Sequence, residues 1–561
     1  MLLVATLAYA APVLVPQDDA LDVQLCEGGG CWTNYLRADD LNGDGHLDVI
    51  VANYSGFFEE GFPQRLGIYQ NDGSAQFTEV SATAMGGFAG RVRQVAAGDI
   101  DADGDLDLYV PDGTGNPAAL FINDGTGRFV DEQLARLPAV PTRAGATRMG
   151  DLDGDGDLDI IVTDGYAQSG PLGQLAHLLL NDGAGTFTNA SDQLPTTWAT
   201  GEDHDDLDLF DADRDFDLDI LINAHAGDNT LWLNDGTGRF TDASDNLAPA
   251  RSNFHYNPGI CDVNGDGHLD IWVDNIGPSF TEQLLINDGT GRFVEETRTR
   301  VTGNPGADDN GVACADLDHD NDFDAIVWSL EATERVLTND GTGTFSPAKD
   351  GFAAVADPTL WGDVGDFDGD GILDAVTGQG EGFPETNLVY LGTAPAMADP
   401  NPPIVTHQQA PGTVDADTPT TVRFAVRDAV VTDRGPRLRR AFARGDFGQG
   451  IEEVPARFVG GDLFHVVLPG LVAGTTTDVT LCAEDRAGNE GCGAAQTYAT
   501  TGEPPPPDPK EPKEPKAPPD TPPNTPIDVG PEECGCSGTG GTAPMTLFGL
   551  GLVAPVVRRK P

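Results

Sequence analysis

The sequence is poor in positive charge. Its 31 lysines and arginines face 91 aspartates and glutamates, leaving a formal net charge of -60 over 561 residues. Nucleic acid is bound through basic contacts to phosphate, so no nucleic-acid partner is expected. The familiar catalytic signatures are missing too. There is no serine-nucleophile elbow, no zinc-binding HExxH pair and no phosphate-cradling glycine loop. The apolar run Ala543 to Val557 spans about 15 residues, short for a stable membrane crossing. An excess of acid often means disorder. Here the acid is periodic and is followed by apolar runs such as Leu108-Tyr109-Val110 and Ile160-Ile161-Val162, which argues for folded strands.

What is present is a nine-residue phrase written seven times: Asp, x, Asp or Asn, x, Asp, turn residue, x, apolar, Asp. The copies start at Asp40, Asp99, Asp151, Asp211, Asp262, Asp316 and Asp366, with steps of 59, 52, 60, 51, 54 and 50 residues. A fixed period of that size signals a repeat architecture of one supersecondary module per unit. Oxygen ligands clustered on a tight loop suit a hard cation such as Ca2+. About seven Ca2+ sites are therefore expected, with ligands drawn from positions 1, 3, 5, 7 (through its backbone carbonyl) and 9 of each phrase. Those are Asp40, Asn42, Asp44, His46 and Asp48; Asp99, Asp101, Asp103, Asp105 and Asp107; Asp151, Asp153, Asp155, Asp157 and Asp159; Asp211, Asp213, Asp215, Asp217 and Asp219. The remaining three are Asp262, Asn264, Asp266, His268 and Asp270; Asp316, Asp318, Asp320, Asp322 and Asp324; and Asp366, Asp368, Asp370, Ile372 and Asp374. Phe216 and Asn321 stand where the turn calls for glycine. A bulky residue at positive φ is unfavourable, so the fourth site is expected to be the weakest or to have a shifted backbone.

A second repeat interleaves with the first. Asn-Asp-Gly recurs at Asn71, Asn123, Asn181, Asn234, Asn287 and Asn339, each followed four residues after the glycine by phenylalanine, from Phe77 to Phe345. Asp-Gly between apolar segments is a hairpin signal. One period thus reads strand, acidic loop, strand, strand, turn, strand, which matches a four-stranded propeller blade. The seventh unit lacks its Asn-Asp-Gly. The N-terminal segment Leu21-Asp22-Val23-Gln24-Leu25 is expected to supply the missing outer strand and close the ring.

The loops and the strands after them resemble the FG-GAP and VCBS repeat families, shared with the calcium loops of integrin α-subunit propellers. Their first half is similar to an EF-hand loop, but the closing acid comes at position 9, not 12, and no helix follows. The resemblance covers roughly residues 20–395. It implies an all-β chain whose seven-bladed β-propeller is rigidified by calcium.

The remaining chain divides by composition. Residues 1–19 read as a signal peptide and leader with an Ala8-Tyr9-Ala10 cleavage site, though no basic residue precedes the apolar run. Residues 20–397 hold the propeller. Residues 398–502 alternate as short strands, an immunoglobulin- or fibronectin-like β-sandwich. Residues 503–532 are a disordered proline-rich linker. Residues 533–561, with Cys534-Gly535-Cys536 and Arg558-Arg559-Lys560, resemble the C-terminal sorting signals of myxobacterial surface proteins. That implies a secreted protein retained at the bacterial surface or outer membrane and anchored in the envelope through its tail. Eight cysteines fit an oxidising compartment. Cys26–Cys31 and Cys482–Cys492 are expected to pair. Cys261 and Cys314 lie one and two residues before their loops, an offset that points them to opposite strand faces, so they read as buried small apolar residues.

His204 and His255 occupy the same place in adjacent units, seven residues before their loops. With Asp205, Asp206, Tyr256 and His225 they form a candidate ligand face, able in principle to bind metal or move protons. The plainer reading is a polar contact between blades. Two functions follow: a calcium-stabilised binding or adhesion module for a protein or glycan, or a secreted polysaccharide-acting enzyme on a propeller scaffold. Fold alone does not choose between them.

Overall fold

The computed structural model describes residues 13–503, apart from 18–19, 22–31, 55–61, 165–174, 197–203, 226–227, 250–254, 277–279, 304–305, 331, 354, 356–357, 381–385, 394–397 and 433–434. The cysteine pair at 26 and 31, the linker from 504 onward and the C-terminal signal lie outside the described residues.

Seven four-stranded antiparallel blades follow one another along the chain, and the sheet of the sixth is extended to six strands by two later strands. In the first blade, Thr33–Asp39 pairs with Asp48–Asn53, which pairs with Gly67–Asn71, which pairs with Phe77–Glu79. Every acidic loop joins the first and second strands of its blade, and every Asn-Asp-Gly turn joins the third and fourth. Both repeats therefore crowd one end of the ring. The chain is an all-β protein with a seven-bladed β-propeller.

The two repeats are bonded to each other. The closing aspartate of a loop accepts the backbone N–H of its turn asparagine, as in Asn181 to Asp159 at 2.8 Å and Asn123 to Asp107 at 2.8 Å. The asparagine side chain then reaches the preceding blade. Asn71 donates to the Phe367 carbonyl at 2.8 Å, Asn123 to Leu41 at 2.9 Å, Asn181 to Ile100 at 2.8 Å and Asn234 to Leu152 at 2.9 Å. Asn287 and Asn339 do the same to Ala212 and Val263. Each turn is thus a rivet between blades, and Asn71 carries it across the closure from blade seven to blade one. Glycine after Asn-Asp supplies the positive φ of the turn, and in blade three it is required twice over. Gly183 sits at φ +75°, and a Cβ there would lie 2.4 Å from an Asp157 carboxylate oxygen.

Blade seven closes differently from the expectation. Its outer strand is Val13–Pro16, paired with Leu388–Thr393. Leu21 instead bridges Phe77 at the outer edge of blade one, which prevents it from serving blade seven. The closing strand therefore falls inside the stretch 1–19 assigned to the leader. Gly392 stands at the place of the missing asparagine, and its N–H still reaches Asp374 at 2.8 Å.

A second correction concerns Cys261 and Cys314, which form a disulfide with Cα atoms 6.4 Å apart. They sit at the ends of the inner strands of blades five and six. Opposite facing excludes pairing within one sheet surface, but side-by-side blades face each other, so opposite facing brings these two together. The expected Cys482–Cys492 bridge is present.

Beyond the propeller, strands from Ile404–Gln408 to Gln496–Thr500 form a curled sheet that fits a sandwich. Its core is Phe424, Val466, Leu481 and Tyr498 with their neighbours. Propeller and sandwich make one compact unit. The sandwich sits on the loop end of the ring. Its Val430–Thr432 strand pairs with Cys314 and Ala315 on the inner edge of blade six. Val459 and Ala429 accept the backbone N–H groups of Asp151 and Asp316, both at 2.7 Å.

Asn181→Ala would orphan buried carbonyls on two blades and is expected to cost about 2–4 kcal/mol. Asp182→Ala, one residue along, removes only two solvent-exposed turn bonds, from the Ala184 and Thr186 N–H groups, and should cost less, about 1 kcal/mol. Urea unfolding of the two variants measures the difference, and equal costs would refute the rivet.

Candidate functional site

Each loop is wound around its first aspartate. Asp40 accepts the N–H groups of Gly43 at 2.8 Å and Gly45 at 2.9 Å. The N–H at position 6 reaches the first aspartate in the same way at Gly104, Phe216, Gly267, Asn321 and Gly371. The closing aspartate pins the loop from the other side, through the position-2 N–H, as in Leu152 to Asp159 at 2.9 Å. This winding gathers the carboxylates. Oxygens of positions 1, 3 and 9 lie within 4.8 Å of one another in Asp99–Asp101–Asp107, Asp151–Asp153–Asp159 and Asp211–Asp213–Asp219. In the sixth loop Asp316, Asp318 and Asp320 converge likewise.

The donor set fits a hard cation. Oxygens of Asp101, Asp213, Asp322 and Asp324 are buried without a hydrogen-bond partner, and Asp324 is only 2 % exposed. In six loops the closing aspartate fastens the position-2 N–H, but the second oxygen of Asp324 is left over. In loops one and five the position-7 side chains pack on the turn glycine, His46 on Gly73 and His268 on Gly289, which leaves the backbone carbonyl as the candidate ligand there. In loop six the Asp322 carboxyl turns to Asp320 instead and joins the cluster.

Desolvation makes the gathered carboxylates hard to ionise. Burial pushes Asp48, Asp107 and Asp374 up to about 7, Asp159 and Asp270 to about 8, and Asp219 to about 9. These groups hold protons in the fold that they release on unfolding, over a window from about pH 4 to about pH 9. Stability without a divalent cation therefore falls as pH rises through that window. A bound dication reverses the preference for the neutral form.

The departures from glycine have a common explanation. Phe216 keeps the loop backbone, with φ +72° against +98° for Gly156, so the expected shift does not occur. Its ring packs on His407 of the sandwich, centroids 4.1 Å apart. Arg214, also at positive φ, donates to the Thr406 carbonyl at 3.4 Å and to His407. In the sixth loop the His319 carbonyl accepts from Asn401 at 2.9 Å, and the Asn321 carbonyl accepts from Arg427 at 3.0 Å. Loops four and six thus carry non-glycine residues where the sandwich lands. Arg423 bridges loops three and four, bonding the Gly154 carbonyl at 3.0 Å and Asp217 at 2.8 Å. Arg486 reaches the Gly45 carbonyl at 3.0 Å. Sequence reasoning missed this seat; the only signal was a bulky residue at a glycine position.

The six ligand-face candidates lie at the other end of blades four and five, His225 just after the second strand of blade four and the rest at or before the inner strands. His204 pairs through its backbone with Ala224; its side chain and that of Asp205 are outside the described residues. Asp206 is buried and turned to the axis, where it meets Arg93 at 3.5 Å and Gln94. His225 and Tyr256 have ring centroids 5.2 Å apart. His255 is fully buried, with Nδ1 3.0 Å from Asn229 Oδ1, a contact between blades four and five. Burial, then His225, pushes its imidazole down to about 4, so it is neutral at physiological pH. The same place in the next junctions is held by Asp309, which meets Glu282 through Arg335, and by Thr359, which donates to Glu334 at 2.5 Å.

The geometry has a counterpart among known families. Residues 40–110, 112–162 and 211–273 match the FG-GAP-like repeat. The chain carries FG-GAP-like repeats. No curated protein matches it. Among solved structures, the full extracellular region of plexin A4 is 9 % identical, with a TM-score of 0.23, over 87 % of this chain and 71 % of that one. A Ca2+-stabilized adhesin with which an Antarctic bacterium binds ice is 10 % identical, with a TM-score of 0.12, over 88 % of this chain and 100 % of that one.

Two outcomes are expected. In chelator the melting temperature should be at least ~5 °C higher at pH 5 than at pH 8, and saturating Ca2+ should close or reverse that gap; a chelator-insensitive melt counts against cation loading. Phe216→Gly should leave calcium stoichiometry unchanged. It should speed hydrogen exchange in Ile404–Gln408 by roughly fivefold or more, about 1 kcal/mol of lost docking; unaltered exchange there removes Phe216 from the seat.

Proposed function

We propose that this chain is a calcium-stabilised binding module of a bacterial cell surface, engaging a protein or glycan ligand. The observation that carries it is the convergence of aspartates 1, 3 and 9 in successive FG-GAP-like loops, with a second domain seated on the same loops. About seven Ca2+ ions would be held by positions 1, 3, 5 and 9 with the position-7 carbonyl. Bound there, calcium supplies charge neutralisation. The residues themselves wind the loops, rivet the blades and hold the sandwich.

Because the sandwich takes the loop end, the opposite end of the ring is the broad surface left for a partner. Two disulfides support an oxidising compartment. Export through the apolar N-terminus and retention through the Cys-containing tail complete the reading. Cleavage after Ala10 would leave the closing strand Val13–Pro16 on the mature chain. The second reading, a polysaccharide-acting enzyme, draws on the adjacent His225 and Tyr256 rings at the open end.

A screen of the full chain against glycan arrays and bacterial surfaces, with and without Ca2+ and with cleavage followed in parallel, tests both. Calcium-dependent retention without cleavage is expected. Turnover of a polysaccharide that is lost in His225→Ala would decide for the enzyme.

A further inference from the structure

Blades four, five and six each meet the next blade through a residue that stands five places before the turn asparagine. Between blades four and five it pairs Asn229 with His255, and between six and seven Glu334 with Thr359. Each of those contacts sets a donor against an acceptor. Between blades five and six the same place sets one carboxylate, Glu282, beside another, Asp309. Like charges at close range repel, so this junction needs positive charge that its neighbours do not.

Arg335 supplies part of it, bonding Glu282 at 3.1 Å and also Asp309. The strand of blade five then adds a third carboxylate. A bulge between Val273 and Ile276 takes Asp274 and Asn275 out of the regular ladder. Asp274 is fully buried, and its Oδ1 accepts the Tyr256 N–H at 3.0 Å. Burial, then the like charges of Asp309 and Glu282, hold its carboxyl well above the usual range. Asn275, at φ +55°, clasps the Asp309 backbone, accepting its N–H at 3.0 Å and donating to its carbonyl at 2.5 Å. The half-buried Asp308 accepts from the same Asn275 amide at 3.2 Å. Three buried carboxylates against one guanidinium leave two negative charges. Two oxygens are left over as well. Asp274 Oδ2 and Asp309 Oδ1 are enclosed and meet no hydrogen-bond donor among the described residues. A buried carboxylate oxygen without a partner is costly, and one dication would satisfy both the charge and the oxygens.

We propose that Asp274, Glu282 and Asp309 hold a hard divalent cation between blades five and six, outside the seven loops and at the opposite end of the ring, with Arg335 bracing the carboxylates. The ion ties two blades together where the neighbouring junctions use a hydrogen bond. The site is independent of whether the loops load. The competing occupants are protons, since burial and the neighbouring Asp309 also hold the Glu282 carboxyl well above its usual range.

The test is equilibrium dialysis of the full chain, stripped with chelator, against Ca2+ and separately against Mg2+, with bound ions counted by atomic emission. Asp274→Asn keeps the side-chain volume and the acceptor for Tyr256, and it should bind one ion fewer per chain than the unaltered protein. Glu282→Gln should do the same, and its count decides if Asp274→Asn fails to fold. Asp182→Asn, on an exposed turn, should lose none. The cation lost from the first two variants names the metal. Adding it should slow hydrogen exchange at the Tyr256 and Asp309 amides roughly fivefold more in the unaltered protein than in Asp274→Asn. A count unchanged in both cluster variants, or equal slowing in Asp274→Asn, overturns the proposal and leaves the cluster to protons. Loop binding with no ion lost from the cluster variants would leave the calcium-loop reading standing while this site falls; a single bound ion, lost from those variants, would do the reverse.

Discussion

The structure is governed by the gathering of like charge at one end of a ring. Thirty aspartates lie within the seven nine-residue loops. Carboxylates that close repel one another, and burial raises the cost of ionising them. The fold answers with local devices. Backbone N–H groups surround the first and last aspartate of each loop, and arginines of a second domain enter from outside. Arg423 against Asp217 and Arg427 against Asp262 bring positive charge from some 150 residues or more away in sequence. What these do not neutralise is left to protons or to bound cations.

The same loops do mechanical work. The aspartate that closes a loop also fixes the turn asparagine of its blade, and that asparagine grips the loop of the blade before. A change in one loop is therefore felt by two blades and, in loops one and three to seven, by the sandwich. Rigidity of this kind suits a scaffold that presents a surface, since the sites are held from several sides at once.

The position of the sandwich divides the molecule's ends by role. The loop end is a joint, at which the Val430–Thr432 strand extends the sheet of blade six. The other end carries inter-blade pairs, Asn229 with His255 and Glu334 with Thr359. His255, singled out by its place before the loop, is enclosed in one of those pairs as a neutral imidazole.

Much of this was legible from spacing. The two interleaved repeats locate every blade, the hairpin turns and the carboxylates that converge, because loop winding and turn formation are local and depend on residues within about ten positions. The strand segments of the sandwich were visible for the same reason. Tertiary structure alone decided the rest. It chose Val13–Pro16 over Leu21–Leu25 for the closing strand, because Leu21 is taken by Phe77. It joined Cys261 to Cys314, because facing blades turn opposite orientations into contact. It gave Phe216 and Arg214 their purpose, because the partner residues Thr406 and His407 lie about 190 positions along the chain, beyond the reach of any local pattern.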